Sequence, residues 1–151
     1  MLKTGSPAPD IALEDTDGNA IRLSGHQGAV LIYFMRSASC PVCNRHVQDL
    51  IRSRDDLTGT TILIALPTDR REAAAWKTKR QIPFPVVVGR QGTPHEMVGL
   101  TRKVFGSMQQ SGSVLIDAEG IVRHAHGATM PTGGYDKRAI ITAARALKAH
   151  A

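Results

Sequence analysis

The sequence predicts a single α/β domain in which helices lie on both faces of a mixed β-sheet. Apolar runs with strand character alternate with segments of helical periodicity through the middle of the chain, which is typical of parallel strands joined by helices. Turn residues between short strand-like segments predict one β-hairpin near the start of the chain and another before its last helix, and hairpins add antiparallel strands. No repeat or linker-like run divides the 151 residues, so we expect one domain over residues 1–151.

The strands are predicted from apolar runs and from turn chemistry. Three runs are almost continuously apolar, as expected of strands that are covered on both faces. They cover residues 29–35, 60–66 and 85–88. Two hairpins are predicted where short strands flank polar turns. The first pairs residues 11–13 with 20–23, and the second pairs residues 113–117 with 121–126. The first hairpin is an N-terminal extension of the α/β core.

Four helices are predicted from apolar residues that repeat on one helical face and from the residues that start and stop helices. They run from Pro41 to near Thr58, from the Thr68-Asp69 cap to Lys79, from His95 to Phe105, and from Tyr135 to Ala149. Gly106 is expected to end the third helix, because glycine readily takes the left-handed conformation that closes a helix. The first helix follows the apolar run at residues 29–35, and ligand chemistry in this fold class lies where such strands end.

The net charge of +6 does not by itself predict a nucleic-acid partner. The 19 basic residues are spread from Lys3 to Lys148, and aromatic residues, on which bases would stack, make up only 4% of the chain. The hydrophobic content of 42% is ordinary for a globular protein and argues against a disordered chain. We therefore expect a folded protein that does not bind nucleic acid.

The N-terminal sequence predicts a cytoplasmic protein without a membrane anchor. Pro7, Pro9 and Asp10 stand where a secretory signal needs an apolar stretch, and no apolar run approaches the length that spans a membrane. In a reducing compartment, two cysteines close in sequence are more often catalytic, redox-sensing or metal-binding than structural.

The only two cysteines, Cys40 and Cys43, form a CxxC between a predicted strand and a predicted helix. A thiol reacts as its thiolate, which is favoured by the free N–H groups and the positive dipole end of a first helical turn. Arg36 and Arg45 add positive charge nearby. Residues i and i+3 are neighbours on a helix, so the two thiols could form a disulfide after modest rearrangement. The spacing therefore predicts a redox-active dithiol.

Two other interpretations of the cysteines stay open. Cys43 could be a small buried apolar residue, since unpaired cysteine is among the most buried residue types. Cys40, Cys43 and His46 could instead bind zinc, although a structural zinc site usually has four ligands and no second Cys/His cluster follows. His124 and His126 alternate along a predicted strand and are expected to lie on one solvated face. We expect no metal and no cofactor.

Four segments, taken in order, resemble those of one protein family. Residues 5–24 (GSPAPDIALEDTDGNAIRLS) and 29–35 (AVLIYFM) are similar to an N-terminal hairpin and to the strand before an active site. Residues 82–88 (IPFPVVV) and 113–123 (SVLIDAEGIVR) are similar to later segments. Their order and spacing resemble the peroxiredoxin (alkyl hydroperoxide reductase/thiol-specific antioxidant) family of the thioredoxin-like superfamily, most closely its bacterioferritin-comigratory type. The resemblance implies a thioredoxin-like fold, with a mixed central sheet flanked by helices.

The resemblance also implies roles for the residues around the CxxC. The family carries the motif PxxxTxxC or PxxxSxxC, and residues 36–43 read RSASCPVC. Cys43 aligns with the peroxidatic cysteine, Cys40 with the threonine and Arg36 with the proline. Ser111 stands near the place of a second family arginine. The chain is thus identified as a divergent, peroxiredoxin-like member with a CxxC, and Cys43, Cys40 and Arg36 are its predicted catalytic residues.

The resemblance implies a thiol-dependent peroxidase that reduces hydroperoxides through a Cys40/Cys43 dithiol-disulfide cycle. Cys43 would attack the peroxide, and Cys40 would resolve the resulting sulfenic acid. Arg36 would stabilise the thiolate and the negative charge that develops on the departing oxygen. Thioredoxin or a glutaredoxin/glutathione system would then reduce the disulfide, and the protein would act as a monomer or a homodimer. The alternative is a thioredoxin-like thiol-disulfide oxidoreductase that acts on protein disulfides with Cys40 as the nucleophile.

Overall fold

A seven-stranded mixed sheet forms the centre of the computed structural model, which describes residues 1–23, 26, 28–103, 108–129 and 131–149. The strands are β1 (Leu13–Asp15), β2 (Ala20–Ile21), β3 (Ala29–Phe34), β4 (Thr60–Ala65), β5 (Val86–Gly89), β6 (Arg102–Lys103), β7 (Met108–Gln109), β8 (Ser111–Ile116) and β9 (Val122–Ala128). The helices are α1 (Pro41–Arg52), α2 (Arg70–Arg80), α3 (Pro94–Met97) and α4 (Lys137–Ala149), with 3-10 turns at Arg54–Leu57 and Pro131–Gly134.

The strand order of the central sheet is β2-β1-β5-β4-β3-β8-β9, while β6 and β7 form a separate pair. β3 pairs with β4 and β4 with β5 in parallel, and α1 and α2 make the two connections. The hairpin β8-β9 joins β3 in antiparallel fashion, and the hairpin β1-β2 joins β5 in the same way. The predicted combination of parallel strands and two antiparallel hairpins is confirmed.

The two faces of the sheet are covered unequally. On one face, Leu31 and Tyr33 of β3 pack in an apolar cluster with residues of α1, α2 and α4, and both cysteines belong to this cluster. On the other face, Val30 packs with Val98 and Leu100, which follow α3, and with apolar residues of the N-terminal segment. The three long helices therefore share the face on which the cysteines lie.

The prediction of a helix from His95 to Phe105 is wrong beyond Met97. α3 covers only Pro94–Met97, and the short strand β6 follows it at Arg102–Lys103. Phe105, and Gly106 as the predicted helix stop, lie outside the described residues.

The early end of α3 has a local cause at Gly99. This glycine has a φ of 81°, in the left-handed region that disfavours other residues. The N–H groups of Gly99 and Leu100 donate to the carbonyls of Glu96 and His95 at 3.1 and 2.9 Å. The two bonds form a Schellman motif, which closes a helix.

The other boundaries differ from the prediction by a few residues. α1 ends at Arg52, and the 3-10 turn at Arg54–Leu57 replaces the last predicted helical turn. α4 begins at Lys137 rather than at Tyr135. Within the described ranges, every helix is too short or too polar to cross a membrane.

Candidate active site

Cys40 and Cys43 lie where the chain passes from β3 into α1. Met35 still follows the sheet, because its N–H donates to the carbonyl of Ala65 at 3.0 Å. Pro41 is in the first turn of α1, a place that suits proline because its missing N–H would have no helical partner there. The dithiol therefore sits at the carboxyl end of the parallel strands, as predicted.

Cys40 caps α1 with its sulfur atom. Its backbone is extended (φ −66°, ψ 114°), and its Sγ accepts a hydrogen bond from the N–H of Cys43 at 3.3 Å. Serine, threonine, asparagine or aspartate usually accepts this bond at a helix start. Both cysteines are buried, with 5% of Cys40 and 0% of Cys43 exposed, and both are free thiols. The predicted disulfide between them stays a prediction.

Cys43 has a strongly perturbed thiol. Burial raises its pKa to about 11 and the Cys40 thiol adds to the rise, while hydrogen bonds from the Arg36 N–H and the Tyr33 hydroxyl act in the opposite direction. At neutral pH a thiol with this pKa is almost entirely protonated. A nucleophilic Cys43 therefore needs a way to lose its proton.

Arg36 follows β3 and is half-buried. Its backbone N–H donates to Sγ of Cys43 at 3.4 Å. The charged side chain of Arg36 is predicted to act at this sulfur, and the backbone N–H adds a contact that was not predicted. A substitution at position 36 would keep the main-chain contact, so the side chain's contribution can be measured separately.

Tyr33 and His46 belong to this site and were not identified as reactive groups from the sequence. The Tyr33 hydroxyl interacts with the Cys43 thiol and also lies 2.8 Å from Nδ1 of His46. His46 is half-buried, and burial lowers its pKa below 6.5, helped by Arg45 and opposed by Asp49. A sequence signal existed, because Tyr33 carries the only polar side-chain group in residues 29–35 and a buried hydroxyl needs a partner.

Tyr135 covers His46 from the segment before α4. The two rings lie 4.7 Å apart at an interplanar angle of 30°, and Tyr135 also meets Tyr33 edge-on at 5.8 Å. The Tyr135 hydroxyl donates to Oδ2 of Asp49 at 2.6 Å, and Nζ of Lys137 lies 3.5 Å from Oδ1 of the same carboxylate. His46 is thus held between strand β3 and the start of α4.

Asn44 ties the loop before α1 to the helix and to α2. Its Nδ2 donates to the carbonyls of Ala38 and Cys40 at 2.9 and 2.8 Å, and its Oδ1 accepts from Nε1 of Trp76 at 2.9 Å. Asn44 and Trp76 are both buried, so these bonds are protected from water. They fix the backbone of Cys40 relative to α2.

A shallow, basic hollow lies beside the dithiol. It has a volume of about 230 Å³ and is lined by Ser39, Pro41, Asn44, Arg45, Gln48 and Arg80. Its two arginines are exposed, and its floor includes the first turn of the helix that Cys40 caps. The hollow places hydrogen-bond donors and positive charge at the surface beside Cys40.

The histidines considered as metal ligands have other surroundings. In the described part of the chain, no three His, Cys, Asp or Glu side chains come together in a way that could hold a metal ion. His46 is paired with Tyr33. His124 and His126 share one face of β9, as predicted, but His124 is half-buried and only His126 is exposed.

A family model and the curated relatives of this chain agree on one protein family. The sequence model described as the AhpC/TSA family matches residues 4–125. Peroxiredoxin Bcp of Escherichia coli is 30% identical over 131 residues, which cover 82% of this chain and 84% of that protein. Alkyl hydroperoxide reductase E of Mycobacterium tuberculosis is 28% identical over 135 residues, which cover 83% of this chain and 85% of that protein.

Solved structures show the same fold. The crystal structure of peroxidoxin BcpB from Mycobacterium tuberculosis superposes with a TM-score of 0.77 at 22% identity, covering 97% of this chain and 99% of that one. A peroxiredoxin-like protein from Aquifex aeolicus superposes with a TM-score of 0.82 at 16% identity, covering 97% and 88% of the two chains. The thioredoxin-like fold expected from the sequence is confirmed.

Proposed function

Because the chain belongs to the AhpC/TSA family, we propose that it is a thiol-dependent peroxidase that reduces hydroperoxides through a Cys40/Cys43 dithiol-disulfide cycle. The observation that carries this proposal is the placement of the two thiols within the family's fold. Cys43 lies in the first turn of α1, the helix that follows β3, and Cys40 lies one turn away with its sulfur accepting the Cys43 N–H. A resolving thiol is therefore adjacent to the thiol that meets the peroxide.

The cycle has three balanced steps. The Cys43 thiolate attacks the terminal oxygen of ROOH, the O–O bond breaks, and the departing RO⁻ takes up a proton to give ROH. The Cys40 thiol then attacks the sulfur of the Cys43 sulfenic acid, which releases water and forms the disulfide. A dithiol donor returns two electrons and two protons by thiol-disulfide exchange.

Arg36 is proposed to assist the first step in two ways. Its backbone N–H donates to the Cys43 sulfur, which favours the thiolate. Its guanidinium is proposed to stabilise the negative charge that develops on the departing oxygen, as fixed positive groups do in many active sites.

Steady-state peroxide consumption tests the proposed function. With thioredoxin, thioredoxin reductase and NADPH as the reducing system, the parent protein should consume hydrogen peroxide and the Cys43→Ser variant should not. The Cys40→Ser variant should consume about one peroxide per chain and then stop, because its sulfenic acid has no internal resolving thiol. A Cys43→Ser variant that consumes peroxide as fast as the parent would remove the proposal.

A second candidate function is thiol-disulfide exchange with proteins, in which Cys40 is the nucleophile. The observation in its favour is that Cys40 is the more exposed thiol, while Cys43 is fully enclosed with a pKa raised to about 11. In that mechanism Cys43→Ser would trap a mixed disulfide through Cys40, because the resolving thiol is gone. Recovery of no trapped partner under oxidising conditions would count against it.

The reductant is proposed to be thioredoxin or a glutaredoxin/glutathione system that approaches Cys40. The basic hollow with Arg45 and Arg80 supports this placement, because it offers positive charge to an acidic partner beside the capping sulfur. We further propose a cytoplasmic protein with one domain over residues 1–151, active as a monomer or homodimer, that binds neither nucleic acid nor a membrane.

A further inference from the structure

Asn44 occupies a position that ordinarily disfavours asparagine. It lies inside helix α1 and is 6% exposed. Asparagine is a poor residue for a helix interior, because its amide competes with the helical backbone for hydrogen bonds. Burial of the amide is unfavourable as well, unless its donors and its acceptor find partners. The position is therefore tolerated only because the side chain makes specific contacts.

Every polar atom of the Asn44 amide has a partner. Its Nδ2 donates to the carbonyl oxygens of Ala38 and Cys40 at 2.9 and 2.8 Å. Its Oδ1 accepts from Nε1 of Trp76 at 2.9 Å. The indole N–H can only donate, so it fixes which end of the amide is the oxygen and turns the amide N–H groups toward the loop before α1. The amide therefore has one orientation that satisfies all its partners.

The carbonyl of Cys40 is held twice by residue 44. Besides Nδ2, the backbone N–H of Asn44 donates to the same oxygen at 3.0 Å. A carbonyl oxygen has two lone pairs, so these two bonds satisfy it completely. Nearer the surface, the Cys40 N–H donates to the carbonyl of Ser37 at a longer 3.3 Å, and Ser39 is exposed. The Asn44 amide is thus a buried tie between this loop and the helix.

Trp76 connects this tie to a second helix. It is the only tryptophan of the chain, it is 6% exposed, and it belongs to α2 and to the apolar cluster that contains both cysteines. A large ring in a close-packed cluster cannot move freely, so its N–H is a fixed point for the amide. α2 thereby fixes the backbone on the Cys40 side of the dithiol, whereas the Cys43 sulfur accepts the N–H of Arg36.

We propose that Asn44 and Trp76 are positioning residues, which hold the backbone of Cys40 where its sulfur can join that of Cys43. The inference rests on the proposed function for its use in catalysis, since it names the residues that make Cys40 a resolving thiol. A disulfide needs a narrow range of Cα separation and Cβ direction, and both are properties of the backbone. A fixed backbone raises the effective concentration of one thiol at the other, while both side chains stay free to rotate.

A glutathione buffer measures this effective concentration without peroxide. Oxidised glutathione takes two electrons and two protons from the dithiol, so that Cys40 and Cys43 become joined by one S–S bond and two molecules of reduced glutathione are released. The equilibrium constant of this exchange has the units of a concentration, and it rises with the effective concentration of the two thiols. A purely structural contact would stabilise the reduced and oxidised forms alike and leave the constant unchanged.

The test determines this constant at fixed pH by thiol labelling and mass spectrometry. Asn44→Leu keeps the size and branching of the side chain but removes its hydrogen bonds to Ala38, Cys40 and Trp76. It should lower the constant by about 10-fold to 10²-fold. Trp76→Phe keeps an aromatic ring in the cluster and removes only the bond to Oδ1, so it should lower the constant by about three- to tenfold.

Asp69→Ala is the matched control, because Asp69 caps α2 by accepting the N–H of Glu72 at 2.8 Å. It weakens the helix that carries Trp76 but leaves the amide network intact, so the constant should stay within about twofold of the parent. A constant within about twofold of the parent in Trp76→Phe, or in a folded Asn44→Leu, would overturn the proposal. An equally large fall in Asp69→Ala, or a parent that forms no disulfide in these buffers, would also overturn it.

A second measurement separates this proposal from the peroxidase function. Trp76→Phe should consume its first equivalent of hydrogen peroxide within about threefold of the parent rate, because the Arg36 N–H that contacts the Cys43 sulfur is outside the amide network. A rate that falls as far as the constant would overturn the positioning role. Lowered constants in a parent and variants that form no sulfenic acid would remove the peroxidase function and leave the positioning role in place.

Discussion

The sulfur atoms of Cys40 and Cys43 have different surroundings although the residues share one helical turn. Cys40 accepts the N–H of Cys43 as the helix cap, and it is the outer thiol of the pair. Cys43 accepts the N–H of Arg36, and it lies against the Tyr33 hydroxyl inside the apolar cluster. This difference supports the two proposed roles. The enclosed Cys43 thiol would react with a small peroxide, and the outer Cys40 thiol would react with a protein reductant.

Arg36 gives the first prediction. Arg36→Gln should slow formation of the Cys43 sulfenic acid by about 10²-fold, because a preplaced positive group is lost while the backbone N–H remains. Stopped-flow mixing with hydrogen peroxide measures the rate. Arg45→Gln removes a nearby exposed charge and serves as the control, with a change of only a few-fold. Equal rates in Arg36→Gln and in the parent would show that the guanidinium plays no part.

The residues of the site differ in how strongly the sequence indicates them. The CxxC and its neighbours could be found because thiols are rare and their spacing carries chemistry. Tyr33 and His46 could not be joined, because they lie on different elements and only the packing of β3 against α1 brings the hydroxyl within 2.8 Å of Nδ1. The N–H contact of Arg36 was missed for another reason, since main-chain donors have no signature in the side-chain sequence.

Contacts at its first turn hold α1 in place. Cys40 caps it, Pro41 starts it, and Asn44 joins its first turn to the preceding loop and to Trp76 of α2. The atom that caps the helix is therefore one of the two sulfur atoms that the proposed disulfide would join. Both thiols of the proposed cycle thus lie at the first turn of α1.

The cap gives the second prediction. Cys40→Ala should lower the free energy of unfolding by about 1 kcal/mol relative to Cys40→Ser, because serine can accept the N–H bond and alanine cannot. Urea denaturation of the two variants measures the difference. Ser39→Ala, at an exposed residue before the cap, should leave stability unchanged. Equal stability of the alanine and serine variants at position 40 would contradict the capping role.

Elements were predictable where apolar pattern and turn chemistry agree. The buried strands β3 and β4 and the cap of α2 fall close to where the pattern puts them, because continuous apolar runs and an Asp69 cap are strong local signals. The predicted third helix is too long, because it runs past the glycine at position 99. Gly99, which closes α3 with a φ of 81°, is the helix stop in this segment.

For the whole molecule, His95 links stability to pH. It is fully buried on the face opposite the cysteines, where its Nε2 lies 2.6 Å from the Met35 carbonyl and its ring packs edge-on against Phe34 at 5.2 Å. Burial lowers its pKa to about 4. The neutral imidazole thus supports the end of β3, directly before Arg36 and the dithiol.

The third prediction follows from this shift. Since the folded pKa is depressed, the unfolded chain takes up the proton first as the pH falls below 6.5, and stability is lost progressively until about pH 4. The contribution of His95 amounts to roughly 3 kcal/mol over this window. His95→Gln, which keeps a donor near Nε2, should show a smaller loss in urea titrations at pH 7 and pH 4.5. The same loss in both proteins would contradict the assignment.

The overall fold could be predicted best from the sequence, because it depends on many apolar positions at once. An error in one helix boundary does not change the predicted fold. The unequal covering of the two sheet faces was less accessible, because it depends on how α1, α2 and α4 pack together on one face. The chemistry of the site depends on a few contacts, so single unpredicted residues matter more there.

The most direct test of the peroxidase cycle follows the first turnover. Reduced protein is mixed rapidly with hydrogen peroxide or cumene hydroperoxide, quenched with thiol labels and analysed by mass spectrometry, alongside Cys40→Ser and Cys43→Ser. The proposed cycle predicts a sulfenic acid at Cys43 that is replaced by a Cys40-Cys43 disulfide in the parent and that persists when Cys40 is serine. Oxidation that begins at Cys40, or no oxidation by either peroxide while Cys40 exchanges rapidly with protein disulfides, would contradict it.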